Sequence, residues 1–132
     1  MNGQKVVRTI GCGAGFAGDR IEPAVAWASS GEVDTVVLEC LSERTLVPGL
    51  RARRADPQAG ADPRLRRRLT PLLPAARANS CRIVSNLGAA NPAAAAHQIA
   101  GLAGELGLRG VKVAGVLGDD VLALRDNITL IY

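Results

Sequence analysis

Short runs of valine and isoleucine recur along the chain, each closed by glycine or by a hydrogen-bonding side chain. They occupy residues 5–10 (KVVRTI), 34–39 (DTVVLE), 82–86 (RIVSN) and 111–117 (VKVAGVL). Runs of this length, β-branched and bounded by turn formers, are expected of strands buried in a sheet. The stretches between them carry helix punctuation. Asp19, with Glu22 three residues on, predicts a capping box at a helix start. Asn91-Pro92 predicts a second start, with proline at the first helical position, and Gly107 predicts its end. Strands alternating with helices at roughly thirty-residue spacing make a parallel sheet joined by right-handed crossovers. The expected fold is therefore α/β: an open, mostly parallel, Rossmann-like sheet of four to five strands with flanking helices.

Residues 42–80 depart from this alternation and read as an irregular helical insert. A helix beginning near Ser42 is expected to stop at Pro48-Gly49. Asp56-Pro57 and Asp62-Pro63 mark a loop and a fresh helix start, and Pro71 and Pro74 are expected to break or kink that second helix. Asn127 to Tyr132 reads as a last strand ending on an exposed apolar edge. The expectation is one domain over 1–132 that is the N-terminal fragment of something longer.

Composition narrows the function classes. Apolar residues make up 48% of the 132 positions and charged residues 21%, enough apolar surface to exclude a disordered tail. Phe16, Trp27 and Tyr132 are the only aromatics, so base-stacking platforms are absent and a nucleic-acid partner is not expected. No apolar run has membrane-span length and no secretory signal follows Met1, which predicts a cytoplasmic protein without a membrane partner. Cys12, Cys40 and Cys81 have no metal-knuckle spacing and are odd in number, as in reduced proteins. The formal charge of +4 is local: seven of fourteen arginines lie between Arg51 and Arg68. Such a stretch is either a solvated helical face or a grip for phosphates.

In open parallel sheets, ligands bind beyond the carboxyl ends of the strands. Those ends are Gly11 to Asp19, Glu39-Cys40, Asn86 to Asn91 and Gly118-Asp119-Asp120. The first contains Gly13-Ala14-Gly15-Phe16-Ala17-Gly18, the spacing of a dinucleotide fingerprint, with Glu39 placed 21 residues past Gly18 as a ribose-binding acid would be. Asp19 and Glu22 oppose that reading, because they put carboxylates where a pyrophosphate should rest. A glycine-rich turn and a phosphate-binding loop both remain open. Asp119-Asp120 suit either a helix cap or a magnesium site, and no metal is assigned. Cys12 lies where a helix N-terminus lowers a thiol pKa, but Asp19 opposes a thiolate. His97, among alanines in mid-helix, has no partner for nucleophilic catalysis, and Cys40 and Cys81 read as small buried hydrophobes.

Four strings carry a resemblance: Gly11-Cys12-Gly13-Ala14-Gly15-Phe16-Ala17-Gly18-Asp19-Arg20, Glu39-Cys40-Leu41-Ser42-Glu43-Arg44-Thr45, Asn86-Leu87-Gly88-Ala89-Ala90-Asn91-Pro92 and Gly118-Asp119-Asp120-Val121. In that order and spacing the chain resembles the N-terminal part of the acyclic terpene utilisation (AtuA-like) family, over residues 5 to about 122. Pro71 and Pro74 interrupt what looks like a single helix in relatives, and Leu122 to Tyr132 do not follow the family's pattern. The resemblance implies bacterial catabolism of branched acyclic compounds such as citronellol and geraniol, through CoA thioesters. It makes the strand-end loops the site, with Glu43 among the candidates. Glu39, Asp119 and Asp120 are the expected acids and bases of a polar reaction such as hydration or hydrolysis. Gly13, Gly15, Asp19, Arg20, Arg44, Asn86 and Asn91 are the expected substrate contacts, with Arg20 or Arg44 gripping an anionic group. The expected partners are a small-molecule substrate, with a CoA thioester as one candidate, and a second copy of the chain; the cofactor is left open. The alternatives are a nucleotide- or phosphate-binding module built on residues 11–18, or a non-catalytic truncated fragment.

Overall fold

Val36 and Leu38 are the centre of the molecule, both almost wholly buried, and the sheet is built around the strand that carries them. The structure is a computed structural model and describes residues 6–121. Its elements are β1 (Ile10–Ala14), α1 (Glu22–Ser30), β2 (Thr35–Leu38), α2 (Glu43–Ala55), α3 (Leu65–Ala78), β3 (Arg82–Ser85) and α4 (Pro92–Glu105). The three strands form one parallel sheet in the order β1-β2-β3. Gly11, Val36 and Ile83 share one cross-strand row, and Cys12, Val37 and Val84 share the next. The architecture is the expected open, parallel α/β fold.

The expected first strand, 5–10, is displaced toward the C-terminus. Pairing begins only at Ile10, opposite Thr35, and Val6 and Val7 are exposed. The strand instead runs into the glycine string, and the reason is contact with α1. A Cβ on Gly13 would stand 2.6 Å from Val36, 2.8 Å from Ala24 and 2.9 Å from Leu38. A Cβ on Gly11 would stand 3.0 Å from the Trp27 ring. With Ala24 and Ala28 fully buried beneath it, α1 lies so close to β1 that side chains have no room.

The capping box expected from Asp19 and Glu22 does not form. α1 begins one residue after Ile21, which provides no side-chain cap, and Pro23 sets its first turn. Gly31, at φ +72°, closes it. Asp34 ties the sheet's opposite end together, accepting from the Thr9 N–H at 2.8 Å while its own carbonyl accepts from Arg82. The Thr9 bond, with Arg8 beside it, lowers the Asp34 pKa.

The expected stop at Pro48-Gly49 and the expected break at Pro71 and Pro74 are corrected. α2 continues through Pro48-Gly49 to Ala55, and α3 continues through Pro71 and Pro74. In α3 the buried residues Leu65, Arg68, Leu69, Leu72, Leu73 and Ala76 form one stripe at helical spacing. Both prolines lie on the exposed side, so the carbonyls they leave unbonded, on Arg67 and Thr70, belong to exposed residues. An interior proline costs about 3 kcal/mol. Burial of a leucine contributes roughly 1.5–3 kcal/mol, and four buried leucines outweigh the two breaks. α2 buries no residue fully and continues because loops press on it. A Cβ on Gly49 would be 3.0 Å from the Gly60 carbonyl and 3.3 Å from Ala90.

α4 starts as expected, with Asn91 accepting from the Ala94 N–H at 3.2 Å, and gives way to Gly107 at φ +68°. α1 packs on β1 and β2, while α3 packs on α1, β3 and α4. Residues 111–117, expected as a fourth strand, join no strand in the described structure. Val116 and Leu117 there are exposed. The last expected strand, Asn127 to Tyr132, lies outside the described residues.

Candidate functional site

The carboxyl ends of the three parallel strands open on one edge of the sheet, and the candidate residues there fall into three groups. The first is the glycine loop. Gly13, Gly15, Asp19 and Arg20 line a cavity of about 380 Å³, together with Cys12 and Gly18. Asp19 has turned away from the helix and into this loop: its Oδ2 accepts from the N–H groups of Gly15 (2.7 Å) and Phe16 (3.1 Å). Two adjacent amides pointing at one oxygen are the arrangement that would cradle a phosphate. Here the chain's own carboxylate occupies them. The loop is also held from below, because Arg68 Nη2 donates to the carbonyls of Ala17 (2.6 Å) and Asp19 (2.8 Å).

Glu39 and Asn86 form the second group, at the ends of β2 and β3. Asn86 Nδ2 donates to Glu39 Oε1 at 2.9 Å, and Asn86 Oδ1 accepts from the Cys40 N–H at 2.7 Å. The Leu41 N–H adds a second bond to Glu39 Oε1 at 2.8 Å. The Asn86 bond first, and the Leu41 bond next, hold the Glu39 carboxyl below its ordinary pKa. This keeps Glu39 ionised as an acceptor and unsuited to act as an acid near neutral pH. Cys40 is buried, and that burial pushes its thiol pKa up, so it stays neutral.

The third group lines a cleft of about 500 Å³ between α2, the start of α4 and residues 117–121. Leu46, Leu50, Ala90, Pro92, Leu117 and Val121 supply an apolar wall. Asn91, Asp119, Asp120 and Arg53 are its polar members. Arg53 Nη1 donates to the Ala90 carbonyl at 2.8 Å and meets Asp120 Oδ2 at 3.3 Å. Both partners of that ion pair are largely exposed, so it orients the rim and adds little stability. Asn91 is committed to structure on every side. Besides capping α4, its Nδ2 donates at 2.8 Å to the carbonyls of both Pro57 and Ala59.

The structure thus gathers Asn91, Asp119 and Asp120 at the cleft, and Gly13, Gly15, Asp19 and Arg20 at the loop cavity. Glu39 and Asn86 line neither, and Arg44, with Glu43, is exposed on the first turn of α2. Sequence reasoning missed Leu46, Leu50 and Arg53, the last two because the helix was expected to stop at Pro48 and Leu46 because nothing local marks it. Their spacing, four and then three residues, puts them on one helical face, which is the signal that finds them once α2 is continuous.

Among the described residues no three His, Cys, Asp or Glu side chains gather to hold a metal ion. His97 is exposed on α4, its Nδ1 3.0 Å from the Ala93 carbonyl. Arg66 pairs with Glu105 across α3 and α4, and Arg51, Arg54 and Arg67 are exposed. No helix among the described residues is long and apolar enough to cross a membrane. Compared with known proteins, residues 8–129 match the model of the family described as acyclic terpene utilisation family protein AtuA, a match that runs through residues 122–129, which were expected to depart from the family's pattern. No curated protein and no solved structure matches the chain.

Proposed function

The chain belongs to the acyclic terpene utilisation family AtuA, and on that premise we propose that it binds the branched aliphatic part of an acyclic terpenoid, or of the CoA thioester derived from it, in the cleft beside α2. The apolar wall carries this reading. A branched hydrocarbon offers no hydrogen bonds along its length, so its recognition depends on burial, about 0.8 kcal/mol for each CH₂ removed from water. Leu46, Leu50, Ala90, Pro92 and Leu117 provide such a surface, and about 500 Å³ suits a small molecule.

The polar rim then meets the functional end of the ligand. Asp119 and Asp120 line the same cleft, and in this reading they supply the proton acceptor or donor of a hydration or hydrolysis. Arg53, already turned to the rim by the Ala90 carbonyl, faces an anionic or carbonyl oxygen. Arg51 and Arg54 project from the same helix and are exposed, which suits the phosphates of a CoA carrier. Glu39, which lines neither the cleft nor the loop cavity, takes no part in this reading.

A phosphate-binding role for residues 11–18 has less support, since the amides of Gly15 and Phe16 are given to Asp19. Equilibrium titration with a branched acyclic acid and its CoA thioester tests the proposal. Binding weakened tenfold or more by Leu50→Asp supports the cleft. Binding unchanged by Leu50→Asp but lost in Gly15→Val places the ligand at the glycine loop instead.

A further inference from the structure

Arg68 is a buried guanidinium with only one of its three nitrogens bonded. It lies on the buried stripe of α3, is 4% exposed, and spends Nη2 on the carbonyls of Ala17 and Asp19. Its Nε and Nη1 are buried and meet no acceptor. Asp62, 5% exposed, has the complementary deficit. Its Oδ1 accepts from the backbone N–H of Arg64 (2.7 Å) and pairs with Arg64 Nε (3.2 Å), whereas its Oδ2 is buried and meets no donor.

The two residues are linked through Arg64 at the start of α3: its N–H donates to Asp62 Oδ1, and its carbonyl accepts from the Arg68 N–H. The Asp62 N–H donates to the Leu87 carbonyl, one residue beyond the Asn86 side chain that holds the Cys40 N–H. The Cys40 thiol, 2% exposed, feels Arg68 and Asp62 with opposite sign. Orphaned buried donors and acceptors are costly when left unmade, and more so on charged groups.

Charge decides what satisfies them. Around Cys40, Arg68 and Arg64 are balanced by Asp62 and Glu39. A carboxylate or phosphate would break that balance and set an acceptor against Asp62 Oδ2. The group required is neutral, small, able to accept from Arg68 and able to donate to Asp62. Water has all four properties, and buried waters ordinarily make two to four such bonds, about three on average. We propose that a single water bridges Arg68 to Asp62, making a solvent-bridged ion pair beneath the carboxyl ends of the strands. This pair is a positioning device. Through Nη2 of Arg68 it holds the glycine loop at Ala17 and Asp19, and through Asp62 it anchors that loop to the end of β3.

The test is rotating-frame NMR on the full chain, reading contact between the Arg68 Nε–H and water. The expected result is a long-lived water cross-peak at Arg68 that disappears in Asp62→Leu. Its absence from the unsubstituted protein overturns the proposal, as does a shift of the Arg68 resonance on adding millimolar acetate or phosphate, which marks an anion site. A double-substitution cycle gives a second reading. Arg68→Met should lower the folding equilibrium constant about a hundredfold or more, and adding Asp62→Leu should restore about tenfold. Strictly additive losses contradict a shared bridge. If Arg68→Met does not fold, the water cross-peak in the unsubstituted chain still decides.

Discussion

The glycine loop and the cleft beside α2 are both candidate sites, yet they differ in the surface they offer. At the loop, the amides of Gly15 and Phe16 and the carbonyls of Ala17 and Asp19 are already bonded within the chain, the amides to Asp19 and the carbonyls to Arg68. At the cleft the walls are apolar, and Arg53 with Asp120 forms an exposed pair that solvent screens. A loop rich in glycine looks like a binding loop whether its glycines serve a ligand or serve packing. Gly13 serves packing, because α1 lies against it. A site is better recognised by the apolar surface it offers a ligand than by its glycine count.

Substitutions sharpen that contrast. The largest effect is expected at Gly13, where a Cβ meets three core side chains within 3 Å. Gly13→Ala should lower stability by about 1–3 kcal/mol through overpacking, read as a lower urea midpoint with unchanged slope. Gly15→Ala should change it by less than about 0.5 kcal/mol, since the nearest atom, Asp19 Oδ2, is 3.9 Å away. Equal losses at the two positions would remove the packing account of the first glycines.

Asp19→Ala comes next. It frees two amides and should cost about 1–2 kcal/mol of stability, the lower range for bonds to a charged group at an exposed position. The same variant should gain measurable affinity for inorganic phosphate while ligand binding at the cleft stays as it was. In the cleft the order reverses. Leu50 is 41% exposed, so Leu50→Asp should alter stability by less than about 1 kcal/mol, while ligand affinity falls tenfold or more.

The smallest effect is a pH dependence at Glu39. Its folded pKa is lowered by Asn86 and Leu41, so its contribution is fully present above the ordinary glutamate range. That contribution disappears as pH falls through the lowered value. Urea midpoints should therefore decline below the ordinary range, and Glu39→Gln should flatten the Glu39 part of that decline. Asp34, lowered by the Thr9 N–H and Arg8, adds a decline of the same sign that Glu39→Gln leaves in place.

Much of this molecule is legible without coordinates, and the rest fails for identifiable reasons. β2, β3 and the start of α4 follow from local signals: valine and isoleucine runs, and an Asn-Pro cap. β1 is misplaced because glycine inside a strand is read as a turn, whereas its cause is α1, a contact remote in sequence. Pro48 reads as a stop, and Pro71 and Pro74 as a break or kink, because the burial and loop contacts that outweigh them are tertiary. The same error hid Leu50 and Arg53 from the candidate site. Asp119 and Asp120 read as a strand end, and residues 111–117 before them join no strand in the described structure, although both acids line the cleft with Asn91. The double anchoring of Pro57 and Ala59 by Asn91 was not legible, since nothing local marks those carbonyls.

The most direct test of the cleft is an amide chemical-shift map of the full chain with a branched acyclic acid added. The account predicts shifts at Leu46, Leu50, Ala90, Ala93 and Leu117, with Gly15 and Phe16 unmoved. Shifts concentrated on Gly13 to Arg20, with the α2 residues silent, would contradict it.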